Sequence, residues 1–234
     1  MKRKNEIFSC CLVLVIVGVT LGLFFHLHSR INREKLTPHI DPEQPMVALT
    51  FDDGPNPTYT PPLLDLLYRY QAPSTFFILG EKINSNRWLL QEMVCSGHEL
   101  GNHTYSHTDL TTLTPQQIEY EIDKTENALK KILPNYTMLY VRPPYGHYNQ
   151  LVEDTVEQPL ILWDIDTMDW DSASVDAICE IVLTNIHDGD ILVFHDNNPN
   201  LLKALERILP ELQEQGFQFV TIRQLAEYRT IEQR

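Results

Sequence analysis

From residue 45 onward the chain alternates two patterns of apolar and polar positions. Short, mostly apolar stretches of strand length occupy residues 46–51, 74–79, 98–102, 138–142, 160–165, 190–194 and 217–222. Between them lie segments of helical period at 61–70, 87–95, 115–133, 150–156, 174–186, 201–215 and 223–228. Thr114-Pro115 is a good helix start, a cap residue followed by proline at the first helical position. Pro210 is expected to break or kink its helix near Leu209, because it lacks a donor and crowds the preceding turn. Sustained strand–helix alternation predicts an α/β fold of parallel strands covered by helices. Gly54 is the only glycine in the first strand-to-helix turn, so the dinucleotide-binding fingerprint is absent. A barrel is therefore favoured over a doubly wound sheet.

The first forty-four residues follow a different pattern. Lys2-Arg3-Lys4 precedes a charge-free apolar run over 7–25, about the 18–20 residues that cover a bilayer core. The expected layout is a cytoplasmic N-terminus at 1–6, a transmembrane signal anchor at 7–25, a proline-containing linker at 26–44 and one domain at 45–234. The basic N-terminus places that domain outside the cytoplasm, as a single-pass protein of the cell membrane. A cleaved signal peptide is the alternative, although Thr20-Leu21-Gly22 makes a poor cleavage site. The formal charge of -14 excludes a nucleic-acid partner, which needs clustered Lys and Arg. Cys95 and Cys179 are the only cysteines beyond the apolar run, too few for a disulfide scaffold, and are expected to be buried free thiols.

Candidate chemistry gathers just past the ends of the predicted strands: Asp52 and Asp53 after the first, His103 and His107 after the third, and Arg142 after the fourth. Asp166 and Asp169-Trp170 follow the fifth, and His195-Asp196 the sixth. In a (β/α) barrel those ends build the active site. Asp52 and Asp53 would face opposite ways in a regular strand, so a turn at Gly54-Pro55 must bring both to one site. His103 and His107 are four apart, and one helical turn would put their rings on one face. With Asp53 they form a two-imidazole, one-carboxylate set suited to catalytic zinc, with non-haem iron as the alternative. The guanidinium fork of Arg142 is suited to holding Asp52. Trp163 and Trp170 read as core or pocket wall, His98 and His187 as structural, and Asp169, Asp171 and Asp196 as solvated or capping residues.

The set resembles the polysaccharide deacetylase family, also called the NodB-homology domain or carbohydrate esterase family four. The resemblance is carried by Thr50-Phe51-Asp52-Asp53-Gly54-Pro55, His103-Thr104-Tyr105-Ser106-His107, Arg142-Pro143-Pro144-Tyr145-Gly146, residues 166–170 and Val193-Phe194-His195, in that order. It implies a distorted seven-stranded (β/α) barrel and metal-dependent removal of acetyl groups from N-acetylated sugars. Matched by position, Asp53, His103 and His107 are the implied metal ligands. Asp52 is the implied general base, steadied by Arg142, and the backbone N–H of Tyr145 the implied oxyanion donor. His195 is the implied general acid, with Asp166 as its charge partner. Trp170 and Val193 are the implied pocket wall, the family often having Leu where Val193 stands. The expected metal is Zn2+, with Co2+, Ni2+ or Mn2+ as alternatives. The expected substrate is N-acetylglucosamine of peptidoglycan. Chitooligosaccharide, N-acetylmuramic acid and O-acetylated xylan are alternative substrates, and a glycan-binding pseudoenzyme is the alternative function.

Overall fold

The computed structural model describes residues 35–171 and 174–229. The expected anchor at 7–25 and the first part of the linker, 26–34, lie outside the described residues. Among the described residues no helix is long and apolar enough to cross a membrane.

The central strand is β1 (Met46–Gly54), whose first seven residues are all buried. Burial on both faces is what a nearly continuous apolar run produces in a parallel sheet. After it come α1 (Thr60–Arg69), β2 (Thr75–Ile78), a one-turn α2 (Gly80–Ile83) and α3 (Arg87–Ser96). Then follow β3 (Glu99–Asn102), α4 (Pro115–Lys130), α5 (Gln150–Thr155), β4 (Ile165–Asp166) and α6 (Val175–Asn185). The described residues end in β5 (Ile191–His195), α7 (Pro199–Glu214), β6 (Gln218–Val220) and α8 (Ile222–Tyr228). Every pairing is parallel: the order is β3-β2-β1-β5-β4, and β6 pairs with the start of β1. Isolated bridges carry the hydrogen bonding on from Asn102 to Val141 and from Val141 to Leu160. The main core packs α1, α3, α6 and α7 against the sheet, with Phe51 stacked between Phe76 and Phe194 at centroid distances of 5.0 and 5.6 Å.

Two expected strands are reduced. The stretch 138–142 keeps one bridge at Val141, and 160–165 keeps a bridge at Leu160 and Ile165, the first residue of β4. The cause is Arg142, whose buried side chain donates to the carbonyls of Ile161 at 3.0 Å and Leu162 at 2.7 Å, groups a regular ladder would use. Pro143 and Pro144 then offer no N–H to extend the pairing. The predicted break at Pro210 is also corrected, since α7 runs through it. Leu201, Ala204, Leu205, Ile208, Leu209 and Leu212 form its buried stripe. At about 1.5–3 kcal/mol for each large apolar side chain, that stripe outweighs the roughly 3 kcal/mol cost of an interior proline. Thr114 does start α4, its N–H donating to the Gln117 side chain at 2.9 Å. Both cysteines are free, but Cys95 is exposed and only Cys179 is buried.

Candidate metal centre and active site

The polar residues at the carboxyl ends of the strands meet in one place. Asp52 and His195 are register partners on the adjacent strands β1 and β5. Registered neighbours in a parallel sheet share a face, so this carboxylate and this imidazole stand side by side. Directly after Asp52 the register shifts, and Asp53 takes a left-handed conformation with φ 68°. That irregularity is the turn needed to swing the second carboxylate into the same site. Lys82 fixes it from below, its Nζ donating to the Asp53 carbonyl at 2.7 Å.

The two histidines arrive by another route than expected. Residues 103–107 are a loop without a helical turn, and Thr104 and His107 both have positive φ, 69° and 60°. Glu121 on α4 pins this loop by accepting from the N–H groups of Tyr105 and Ser106 at 3.0 and 2.8 Å. The rings end 5.0 Å apart. His103 Nδ1 lies 2.8 Å from the Arg142 carbonyl. A carbonyl only accepts, so Nδ1 carries the proton and Nε2 is left with a bare lone pair. His103 Nε2 and His107 Nε2 face Asp53 Oδ1 at 3.6 and 3.3 Å. Burial, followed by the charge of His103, lowers the pKa of His107, which disfavours its protonated form. Asp53 Oδ1 is buried and accepts no hydrogen bond.

Three ligand atoms within 4.8 Å of one another, two imidazole nitrogens and a carboxylate oxygen, therefore converge. This donor set fits a divalent metal of the zinc type with room for a further ligand. A buried carboxylate oxygen without a hydrogen-bond partner is costly unless a cation sits beside it.

Asp52 is nearly fully buried and accepts from Arg142 Nη1 at 2.8 Å, while its Oδ2 lies 3.9 Å from His103 Nε2. Arg142 is wholly buried, also donates to Thr50 Oγ1 at 2.7 Å, and lies 4.1 Å over the Phe77 ring. Its side chain makes four hydrogen bonds to oxygen, the kind of pairing under which a buried guanidinium is tolerated.

The expected pairing of Asp166 with His195 is not made. Asp166 registers with Val193, two residues short of His195 on β5. At about 3.3 Å per residue the gap is too long for a carboxylate to bridge. Asp169, from the turn after β4, supplies the contact instead. Its Oδ1 lies 2.8 Å from His195 Nδ1, and its Oδ2 accepts the His195 backbone N–H at 2.8 Å. Burial alone would lower the His195 pKa. The Asp169 hydrogen bond and the charges of Asp52, Asp169 and Asp53 outweigh it and raise the value to about 9. Asp166 accepts instead from the Met168 N–H at 2.8 Å and the Trp170 indole at 3.3 Å. Trp170 is 55% exposed, so it is rim and not core. Val193 is buried on the strand face that also carries His195. Tyr145 has φ 61°, and its exposed ring lies 4.6 Å from that of His107.

Residues 39–159 match the polysaccharide deacetylase family. The chain is 37% identical over 192 residues to the peptidoglycan-N-acetylglucosamine deacetylase of Bacillus cereus, covering 79% of this chain and 89% of that protein. The chain belongs to the polysaccharide deacetylase family. Identity is also 37%, over 190 residues, to peptidoglycan-N-acetylmuramic acid deacetylase PdaC of Bacillus subtilis. That alignment covers 81% of this chain but 40% of the longer relative. The solved structure of PdaC superposes with a TM-score of 0.78 at 37% identity, covering 81% of this chain and 93% of that one. A family 4 acetyl xylan esterase from Clostridium thermocellum, solved in complex with a cobalt ion, has a TM-score of 0.74 at 32% identity, covering 78% and 90%.

Proposed function

We propose that the protein is a metal-dependent N-deacetylase of an acetylated glycan, with N-acetylglucosamine of peptidoglycan as substrate. The observation that carries this reading is the buried, hydrogen-bond-free Asp53 Oδ1 facing two imidazole nitrogens, beside a registered Asp52–His195 pair. Asp53, His103 and His107 hold the metal; Zn2+ suits the nitrogen-rich set, and Co2+ is favoured by the cobalt-bound relative. When bound, such a metal polarises a carbonyl and lowers the pKa of a water toward about 7.

The remaining work falls to this chain's residues. Asp52, oriented by Arg142, takes a proton from the water whose oxygen attacks the acetyl carbonyl carbon. The Tyr145 N–H, set by that residue's left-handed backbone, donates to the oxyanion, a contact worth about 3 kcal/mol. His195, protonated and held by Asp169 at Nδ1, passes the Nε2 proton to the sugar nitrogen as the C–N bond breaks. The products are acetate and a free amine. Trp170 and Val193 border the space for the acetyl methyl, Trp170 at the rim and Val193 inside.

The bridges at Val141 and Leu160 support closure of the sheet into the distorted barrel. The run at 7–25 after Lys2-Arg3-Lys4 supports a membrane anchor with the domain outside the cytoplasm. Similarity alone does not separate the two sugars of peptidoglycan, since relatives at equal identity carry the two different names. The test is acetate release from muropeptides, chitooligomers and acetylxylan, each with and without a chelator. Chelator-sensitive release from muropeptides, with the amine exposed on glucosamine, is expected. Binding without acetate release would leave a glycan-binding pseudoenzyme.

A further inference from the structure

The residue after His195 has no part in the chemistry above, yet it is fully buried. Asp196 Oδ2 accepts from Thr60 Oγ1 at 2.5 Å and from the Asn56 N–H at 3.3 Å. Thr60 Oγ1 in turn accepts the Asn56 N–H at 2.7 Å, and the Asp196 N–H reaches the Asp52 carbonyl at 3.4 Å. Asp196 thus touches both sides of the turn that carries Asp53. Its carboxyl also lies against Gly54: a Cβ built there would stand 2.5 Å from Oδ2, 3.0 Å from Cγ and 3.2 Å from Oδ1. Gly54 has no positive φ. Glycine is therefore needed at this position for room and not for backbone freedom, and the room is filled by Asp196.

We propose that Asp196 is a positioning residue that clamps the Asp52-Asp53-Gly54 turn against the strand bearing His195. The proposal rests on the hydrolase reading given above. Asp53 sits in a left-handed conformation that a non-glycine residue adopts only when its neighbours hold it there. The turn is held at three points: the Asp53 carbonyl by Lys82, the Gly54 carbonyl by the Leu79 N–H at 3.0 Å, and the Asn56 N–H by Asp196. The last ties it to the acid-bearing strand through a side chain, beside the backbone bond from the Asp196 N–H to the Asp52 carbonyl. Asp196 Oδ1 is buried without a hydrogen bond, and burial, opposed by Thr60, Lys82 and Asn56, raises the carboxyl's pKa to about 6. Such a group costs stability, so its gain lies in where it sets the turn.

The test compares wild type with Asp196→Ala, Asp196→Asn, Gly54→Ala and the double variant Gly54→Ala/Asp196→Ala. Visible absorption of the Co2+-loaded proteins, kcat and KM on an acetylated oligomer, and Tm are measured for each. Asp196→Ala should alter the Co2+ spectrum and lower kcat about 10–100-fold, the range of an outer partner to a metal ligand, with KM nearly unchanged. Asp196→Asn keeps an acceptor for Thr60 and Asn56 and should recover most of the loss. Gly54→Ala should lose as much as Asp196→Ala, and the double variant should be no worse than either, because the clash is gone. If Asp196→Ala does not fold, Thr60→Val removes one of its donors and should shift the spectrum in the same direction. A wild-type spectrum and kcat in folded Asp196→Ala or Thr60→Val, or losses that multiply in the double variant, would overturn the clamp. Absence of acetate release by wild type would sink the hydrolase reading instead, while the Co2+ spectra still decide on Asp196.

Discussion

The two ends of the parallel sheet are built on opposite terms. At the amino ends of the strands, carboxylates accept from backbone N–H groups and, at Glu99, also from a hydroxyl. Glu99 accepts from Thr75 Oγ1 and the Arg223 N–H, Asp188 from the first N–H of β1, and Asp164 from the first N–H of β5. At the carboxyl ends stand Asp53, Thr104, His107, Tyr145 and Met168. Apart from Gln71 these are all the described non-glycine residues with positive φ. There too lie Asp53 Oδ1 and Asp196 Oδ1, buried without hydrogen bonds. One end pairs these carboxylates with N–H and O–H donors and holds the fold. The other keeps strain and unmet charge, and that is where a cation and a substrate have something to offer.

The comparison breaks most sharply at the ligands. Asp53→Ala and His103→Ala should lose bound metal and more than about 10²-fold of activity, beyond the loss from an outer partner. Tm of metal-free Asp53→Ala should stay within a few degrees of wild type, because the unpaired Oδ1 is removed while the left-handed backbone remains. Metal analysis with calorimetry checks both. A drop of many degrees in metal-free Asp53→Ala would show that this end also holds the fold.

A smaller effect separates the two carboxylates after β4. The His195 pKa is raised from 6.5 to about 9, so its proton is held at neutral pH and lost as pH rises through the folded value. The stability this contributes is complete below 6.5 and is lost by the same route. A bound cation offsets the share due to Asp52 and Asp53, so the alkaline limb of kcat/KM in the loaded enzyme should lie below 9. Asp169→Asn should move that limb down by about one unit or more. Asp166→Asn should leave the limb in place and raise KM by freeing Trp170. A shift with Asp166→Asn and none with Asp169→Asn would reverse the assignment.

The smallest effect on activity belongs to the other end. Glu99→Ala leaves two donors unmet and should cost about 1–3 kcal/mol, a Tm fall of roughly 2–10 °C. Turnover of the folded enzyme should change less than about twofold, as for substitutions away from the chemistry. Loss of turnover at unchanged Tm would contradict the division of labour.

Much of this was legible in the sequence because βα alternation forces polar residues at strand ends into one place. Asp52, Asp53, His103, His107, Arg142 and His195 follow from that rule and from the motifs. What stayed hidden depends on register and on long-range hydrogen bonding. Asp169 and not Asp166 meets His195 because β4 pairs two residues short of it. The strands around 140 and 162 are short because a distant guanidinium takes their carbonyls. Proline inside α7 is outweighed by a buried stripe that local rules do not count. The histidine pair needs two left-handed residues, and no spacing rule reports those.

The central claim is that Asp52 acts on a proton and Asp53 on a metal, although the two are adjacent in sequence. Asp52→Asn is the direct test, with metal content and acetate release measured on the same preparation. The variant should hold as much metal as wild type and release acetate about 10²–10⁴-fold more slowly, the range for loss of a general base. A fully loaded Asp52→Asn protein that turns over like wild type, or one that has lost its metal, would contradict the account.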